Sequence, residues 1–334
     1  MTPSPHSRTA GNLIEQLTEL WAEQMVEWPA LAEGMTALRQ AKTRSFLVDG
    51  SPILAQCNPA RFKSSSARVE AGGVPEGDCF LCPHRLPPRQ RGVRYGERWL
   101  ILCNPAPIFE AHFTIVATAH EPQRVMPALA TLLDLSRDLA GALTVFYNGP
   151  SCGASAPHHL HLQAVPMGAM PFEAELATAV AAGNLALSSG RLDWLPSAAT
   201  RIGTTSPRWR PAVVLVEERR DALIRHVELV IEALGEIRPA SPEPMMNLLA
   251  AHANGRWMAC LFPRAAHRPA DFGTGPDNYL ISPGTIDLGG VLITPLEKDF
   301  SRLTDEKVRS VYEEVLISAA DFARFRERLL LRMK

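Results

Sequence analysis

Neither sign of charge dominates this 334-residue sequence, in which 34 Lys and Arg stand against 35 Asp and Glu. Without a basic excess there is no broad electrostatic footprint for a nucleic acid polymer, and none is expected as a partner. No apolar run is long enough to span a bilayer, so no membrane partner is expected either. The opening stretch MTPSPHSRTAGN lacks the apolar core of a secretion signal. Residues 1–10 read as a disordered tail, and the expected location is cytoplasmic. Six cysteines in a chain of this size, with no export signal, are expected to be reduced thiols or metal ligands rather than a disulfide framework. There is no sharp internal repeat. Nor is there strict strand–helix–strand alternation, which favours an α+β fold with antiparallel sheet over a doubly wound one. The glycines of GTGPDN (273–278) are not flanked by a strand and a helix, so they are not a dinucleotide fingerprint.

Residues 11–40 carry helical spacing (Leu13, Leu17, Leu20, Trp21, Met25), with Asn12 as candidate N-cap. SFLVDGSPILAQC reads as two strands about an Asp-Gly turn. Residues 58–78 read as a loop, and CFLCPHRLPPRQRG as a knuckle too rich in proline for a helix or a central strand. Strands are expected in RWLILC, HFTIVATAH and LTVFYN, with an amphipathic helix in EPQRVMPALATLLDLSRDLAGA. FEAELATAVAAGN reads as helix, and 182–211 as weakly patterned sequence that holds the boundary between halves. Beyond it come a strand (AVVLVEE), a helix (RDALIRHVELVIEALGEI), a hairpin (MMNLLAAHANGRWMACLFPR), GGVLITP and one final helix over 305–330.

The most informative stretch is HLHLQ, residues 159–163, bounded by Pro157 and Pro166. In a strand, alternate side chains share a face. His159, His161 and Gln163 then lie together, opposite Leu160 and Leu162. A solvent-facing strand ordinarily carries Thr, Lys, Glu or Ser there, so two imidazoles and a carboxamide in register point to chemistry. Upstream, Cys79-x-x-Cys82 has the spacing of a zinc thiolate pair, which needs two further ligands. A set of Cys79, Cys82, His120 and His159 is one proposal, and His84 and His112 are rivals by proximity. The bland alternative is a buried or redox-active cysteine pair without metal. Pro83, Pro87 and Pro88 argue against a thioredoxin-type pair, which opens a helix.

FYNGPSCGASAPHHLHLQAVP resembles the active-site segment of the His-x-His-x-Gln branch of the histidine-triad superfamily, which includes galactose-1-phosphate uridylyltransferases, diadenosine tetraphosphate phosphorylases and GDP-hexose phosphorylases. LILCNPAPIFEAHFTIVATAH is similar to the superfamily's strand–turn–strand, and the likeness covers roughly residues 45–175. One departure is His158, an extra residue after Ser155. The period of two sets it off the face that holds His161 and Gln163. The resemblance implies a histidine-triad-like antiparallel sheet with flanking helices, in two related halves. Residues 11–180 would form a catalytic half with a zinc knuckle, and 200–334 a half completing the substrate site. It favours His120 and His159 as the zinc ligands beside Cys79 and Cys82. It also implies a homodimer.

The resemblance further implies that His161 attacks the α-phosphorus of a nucleotide, whose magnesium would travel with it. The nucleotide is then handed from His161 to phosphate or a sugar phosphate. Gln163 would bind the attacked phosphate; a carboxamide donates a hydrogen bond but carries protons poorly, which fits transfer better than hydrolysis. Gly153 and Ser155 in GPSCGAS and Asn104 after the first strand are the other candidate phosphate contacts. Arg61 and Lys63 would clamp the polyphosphate or the acceptor, and Arg264 and His267 would add a second basic group. The expected function is thus a nucleotidyltransferase or phosphorylase acting on an NDP-sugar or a dinucleoside polyphosphate. The competing readings are a histidine-triad hydrolase, a non-catalytic zinc-stabilised nucleotide binder and a redox protein.

Overall fold

The computed structural model describes residues 10–67, 79–181, 186–187, 190–195, 201–205 and 209–333. The tail expected over 1–10 lies, apart from Ala10, outside these residues, as do 68–78 of the expected loop. Two helices open the chain, α1 (Ala10–Glu27) and α2 (Pro29–Arg39). The single helical segment expected over 11–40 is thus broken at Trp28, where Pro29 has no N–H to continue the ladder and instead starts the second helix. The first helix already begins at Ala10, so Asn12 is not its cap.

A hairpin follows, β1 (Lys42–Val48) and β2 (Ser51–Cys57), turning at Asp49 and Gly50 with φ of 49° and 84°. These left-handed values are what an Asp-Gly hairpin turn uses. Next come a short 3-10 turn (Pro59–Arg61), α3 (Phe62–Ser65), the cysteine knuckle, then β3 (Gly92–Tyr95), β4 (Trp99–Cys103), β5 (Phe113–Ala117), α4 (Met126–Asp138), β6 (Leu143–Asn148), β7 (His161–Pro166) and α5 (Pro171–Ala181). The stretch 182–211, expected to be weakly patterned, contributes β8 (Ala186–Leu187), β9 (Gly190–Leu195) and β10 (Arg201–Thr205). The remainder is β11 (Val213–Glu217), α6 (Arg220–Ile237), β12 (Met246–Ala253), β13 (Arg256–Pro263), α7 (Thr285–Leu288), β14 (Val291–Thr294), α8 (Glu297–Arg302), α9 (Asp305–Val315) and α10 (Ala319–Arg332). The one final helix expected over 305–330 is two, because Ser318 takes extended geometry and its hydroxyl accepts from Asp321 N as a new N-cap.

Eleven strands form one antiparallel sheet in the order β3-β4-β5-β7-β6-β12-β13-β11-β10-β9-β8. Strands from the two halves of the chain meet where β6 pairs with β12, from Val145–Ala250 to Asn148–Asn247. A smaller sheet, β1-β2-β14, has β14 parallel to β2. The α+β class with an antiparallel sheet is therefore the observed one.

Alternation along the large sheet builds two cores. One face packs Ile101, Ile115, Leu160, Leu162, Val145 and Leu248 against α1, α2, α4, α6 and α10. The other packs Phe146, Val165, Leu249 and Phe262 against the small sheet, α5 and α7–α9. Leu160 and Leu162 are fully buried, each removing a side chain worth about 2 kcal/mol from water. That burial fixes the register and turns His161 and Gln163 to the opposite face, because a one-residue slip would invert every side chain.

Candidate active site

A cavity of about 580 Å³ opens on the face that carries His161 and Gln163. Arg61, Lys63, Asn104, Gly153, Ser155, His161 and Gln163, all read from the sequence, line it together. Their convergence follows from the sheet. β5 pairs with β7 so that Val116 opposes His161 and Thr114 opposes Gln163, and β6 places Phe146 opposite Gln163. In that same register Asn148 falls opposite His161. Arg61 arrives from the turn before α3 and is held by a bond from Nη1 to Ala106 O of 2.8 Å.

His161 is only 2% exposed. Its Nδ1 lies 2.8 Å from the carbonyl of His159. A carbonyl only accepts, so Nδ1 carries the proton, and Nε2 keeps its lone pair on the cavity side. Burial, with the neighbouring His159 and His158 rings, pushes the imidazole down to about 4, against the bond to the His159 carbonyl. It is neutral at physiological pH. Its backbone is also fixed: the Gln123 carboxamide accepts from His161 N at 2.8 Å and donates to His161 O at 3.0 Å and to Asn148 O at 2.9 Å. Gln123 thus stitches β6 to β7 where their own pairing ends.

The orientation of Gln163 is set by His112, which the sequence offered only as a rival metal ligand. The N–H of Ile108 donates to His112 Nδ1 at 3.2 Å, so the ring proton is on Nε2. That proton is donated to Gln163 Oε1 at 2.8 Å. The NH₂ end of Gln163 is then left for the cavity. Burial and the Arg61 charge push His112 down to about 3, against the bond to Gln163, so the tautomer persists.

Asn148, not singled out in the sequence, repeats the pattern. Its Oδ1 accepts from Asn247 Nδ2 at 2.8 Å, Thr285 N at 2.8 Å and Thr285 Oγ1 at 2.7 Å. Its NH₂ has no partner among the described residues, and Asn148 lines the cavity. An Asn that ends a buried strand before Gly-Pro looks like an ordinary turn residue, and only the pairing with β7 reveals it. Asn104 is engaged locally as well as placed at the site. Its Oδ1 closes an Asn-Pro turn on Ala106 N at 3.0 Å, and it lines the cavity.

Arg61 has a buried Nε without a hydrogen-bond partner, and no carboxylate lies within salt-bridge distance of it among the described residues. Burial lowers it to about 10, with partial compensation from Asp287. It is an under-neutralised cation on the cavity wall. Asp287 also lines the cavity, its oxygens accepting from Gly284 N at 2.8 Å and Ile293 N at 2.9 Å. Burial raises it to about 6 against those bonds and Arg61. Gly153, at φ 92°, brings the 149–155 loop against α7, where an added Cβ would sit 2.7 Å from Gly284 Cα.

Arg264 and His267 are not brought to the cavity. Arg264 is fully buried, and each of its five N–H groups is spent: Nε on Val315 O, Nη1 on Asn247 Oδ1 and Pro283 O, Nη2 on Ala266 O and His267 O. A guanidinium with no donor left does not bind a phosphate. His267 is pushed down to about 3 by burial and by Arg268 and Arg264, so it carries no charge for an anion.

At the edge of the site Cys79, Cys82, His120 and His159 cluster, with all ligand atoms within 4.8 Å of one another. Cys79 Sγ and His159 Nδ1 are 3.3 Å apart, Cys82 Sγ and His120 Nδ1 3.3 Å, and Cys82 Sγ and His159 Nδ1 3.5 Å. A tetrahedral zinc with Zn–S of ~2.3 Å and Zn–N of ~2.0 Å has S···N edges of ~3.5 Å, which these spacings match. His159 Nε2 donates to Ala117 O at 2.8 Å, which leaves the Nδ1 lone pair facing the sulfurs. The donor set fits a metal ion such as zinc. His84 and His112 are not part of the cluster. His159 lies in the turn before β7 rather than in the strand, and so reaches the knuckle while His161 reaches the cavity.

Residues 20–166 match a family model described as a domain of unknown function, DUF4922. No curated protein matches the chain. Among solved structures it is similar to yeast Ap4A phosphorylase Apa2 in complex with AMP, with a TM-score of 0.58 and 17% identity over 91% of this chain and 94% of that one. The same yeast protein in complex with Ap4A gives a TM-score of 0.56 and 16% identity over 87% and 97%. The chain thus has the fold of the yeast Ap4A phosphorylase, the histidine-triad-like architecture that its sequence resembles.

Proposed function

We propose that the protein is a nucleotidyltransferase or phosphorylase that works through a nucleotidyl-histidine at His161. The carrying observation is the Nδ1–H bond to the His159 carbonyl, which leaves the Nε2 lone pair free in a residue that lines the cavity together with Gln163 and Asn148. Nε2 attacks the α-phosphorus of the nucleotide. A P–N bond forms, and the P–O bond to the leaving phosphate breaks, its electron pair going to that oxygen. An acceptor phosphate oxygen then attacks the same phosphorus and the imidazole leaves neutral, without any group having to carry a proton. Gln163 and Asn148 donate to the phosphate oxygens, each contact typically worth a factor of about 10²–10³ in rate. Arg61 offsets the phosphate charge, and Lys63, Asn104, Gly153 and Ser155 line its path.

The substrate class is an NDP-sugar or a dinucleoside polyphosphate, with phosphate or a sugar phosphate as acceptor. The likeness to a fold that holds AMP and Ap4A in the yeast phosphorylase supports the second. Residues 11–180 act as the catalytic half and 200–334 as the half that completes the site, in a cytoplasmic homodimer. Zinc held by Cys79, Cys82, His120 and His159 would anchor the knuckle beside the nucleophile. Magnesium arrives with the nucleotide.

The test is intact-mass spectrometry after mixing with Ap4A, ADP-glucose or GDP-mannose and no acceptor. A gain of one nucleoside monophosphate, absent in His161→Ala, supports the reading. Turnover that proceeds equally without phosphate or sugar phosphate ends it in favour of a hydrolase.

A further inference from the structure

We infer that Arg264 and Asn247, which touch no part of the cavity, are positioning residues that fix which end of the Asn148 carboxamide meets the ligand. The inference rests on the reading of the cavity as a phosphate site. A carboxamide presents an acceptor or a donor depending on a half-turn about its last bond, and the two ends differ little in shape. Something must choose between them, and here each step of the choice has one solution.

A guanidinium only donates. Arg264 Nη1 lies 2.7 Å from Asn247, so the Asn247 atom there is the oxygen. The NH₂ of Asn247 then points the other way, where it reaches Cys152 O at 2.7 Å and Asn148 at 2.8 Å. The Asn148 atom that receives it must be an oxygen, as the N–H of Thr285 requires independently at 2.8 Å. What remains of Asn148 for the cavity is its NH₂. Arg264 and Asn247 are both completely buried, so water does not compete for these bonds. No carboxylate lies within salt-bridge distance of Arg264 among the described residues, and its other four donors go to carbonyls. The contact between Asn247 and Cys152 O holds the 149–155 loop by the same group.

The relay also says what the second half of the chain supplies. Asn247, Arg264 and Thr285 all come from beyond residue 200, whereas Asn148 and His161 come from before it. Through this relay the second half acts on the ligand by way of the first, besides lining the cavity directly with Asp287.

The decisive variant is Asn247→Asp. Its carboxylate still accepts from Arg264 but cannot donate, so Asn148 is pulled two ways, its oxygen kept by Thr285 N and its NH₂ drawn toward the new carboxylate and away from the phosphate. Binding of AMP, inorganic pyrophosphate and adenosine is measured by calorimetry in wild type, Asn247→Asp, Asn148→Ala and the double variant. The expected result is a loss of about ten- to a hundredfold for AMP and pyrophosphate, with adenosine unchanged. In the Asn148→Ala background, Asn247→Asp costs much less than it does alone, only what releasing the Cys152 carbonyl removes. A merely structural role would weaken adenosine equally and add its loss in the double variant, and either outcome overturns the inference, as does AMP affinity within about twofold of wild type.

A measurement on the unaltered protein guards against a variant that does not fold. The side-chain NH₂ of Asn247, bonded on both hydrogens, is expected to exchange with solvent far more slowly than that of Asn148 in the free protein. Equal exchange overturns the relay. A protein that gives this pattern yet forms no nucleotide adduct on His161 keeps the relay and loses the proposed reaction, so the two failures are distinct.

Discussion

Replacing Gln163 by Glu tests whether the NH₂ end of that side chain faces the ligand. The two side chains are nearly isosteric, and the carboxylate still accepts the His112 Nε2 proton, so packing is preserved. Two effects act on a bound phosphate. One donor is lost, about 3 kcal/mol by the usual measure of a donor to developing charge. A negative charge also appears near the phosphate, and at about 4 Å with an effective dielectric near 20 this costs roughly 4 kcal/mol. A neighbouring histidine would ordinarily neutralise such a carboxylate by taking a second proton. His112 resists, because its Nδ1 already accepts from Ile108 N and protonation there would set two donors against each other. The sum, about 7 kcal/mol, corresponds to roughly five orders of magnitude. The assay is the rate of nucleotide transfer to His161 by rapid-quench intact-mass spectrometry. Gln163→Ala, which loses the donor without adding charge, should fall only about 10²–10³-fold. A Gln163→Glu rate equal to that of Gln163→Ala would refute the geometry, since the charge would then have no phosphate to repel.

Four further outcomes are expected. Metal analysis of the purified protein should find one zinc per chain, and Cys82→Ser should lose it and lower the melting temperature; a metal-free protein of unchanged stability would exclude the site built by Cys79, Cys82, His120 and His159. Arg61→Met should weaken nucleoside monophosphate binding about tenfold or more in calorimetry while raising stability, because it removes a buried cation with an unpartnered Nε. His112 is held near 3 when folded but titrates near 6.5 when unfolded, so below 6.5 the unfolded chain binds more protons and stability falls as pH falls; from pH 7 to 5 the loss is about 2 kcal/mol, and urea titrations of His112→Gln should show that much less pH dependence. Gly34→Ala should destabilise by about 3 kcal/mol in chemical denaturation, because the new Cβ would lie 1.9 Å from the Pro105 carbonyl in the turn that carries Asn104.

What the sequence made legible was local. Alternation in HLHLQ assigned Leu160 and Leu162 to the core and His161 and Gln163 to the opposite face, and the tight spacing of Cys79 and Cys82 marked them as partners. These depend on periods of two and on short loops, which sequence encodes directly. What remained hidden depends on which strands lie side by side. His112 sits far along the chain from Gln163, and only the pairing of β5 with β7 brings its ring within reach. Asn148 gained its meaning by falling opposite His161. Arg264 shows the limit most clearly. A basic residue after a strand reads as an anion site, and nothing in FPRAAHRP says that five carbonyl and carboxamide oxygens, several from distant loops, will surround it first. His158 falls in the turn before β7, where a strand's period of two does not hold, so that period does not decide its face; the break at Ser318 was missed because one capping hydroxyl is a weaker signal than the apolar spacing on either side.

The seam between β6 and β12 limits how the two halves can part. It is a row of backbone hydrogen bonds, with Asn148 and Asn247 at one end, joining strands from the two halves of the chain into a continuous sheet. A clam-like opening along that line would have to unzip the row and expose two raw strand borders at once. Such a line does not hinge, and the cavity mouth is flanked instead by the proline-rich knuckle with its solvent-facing Phe80.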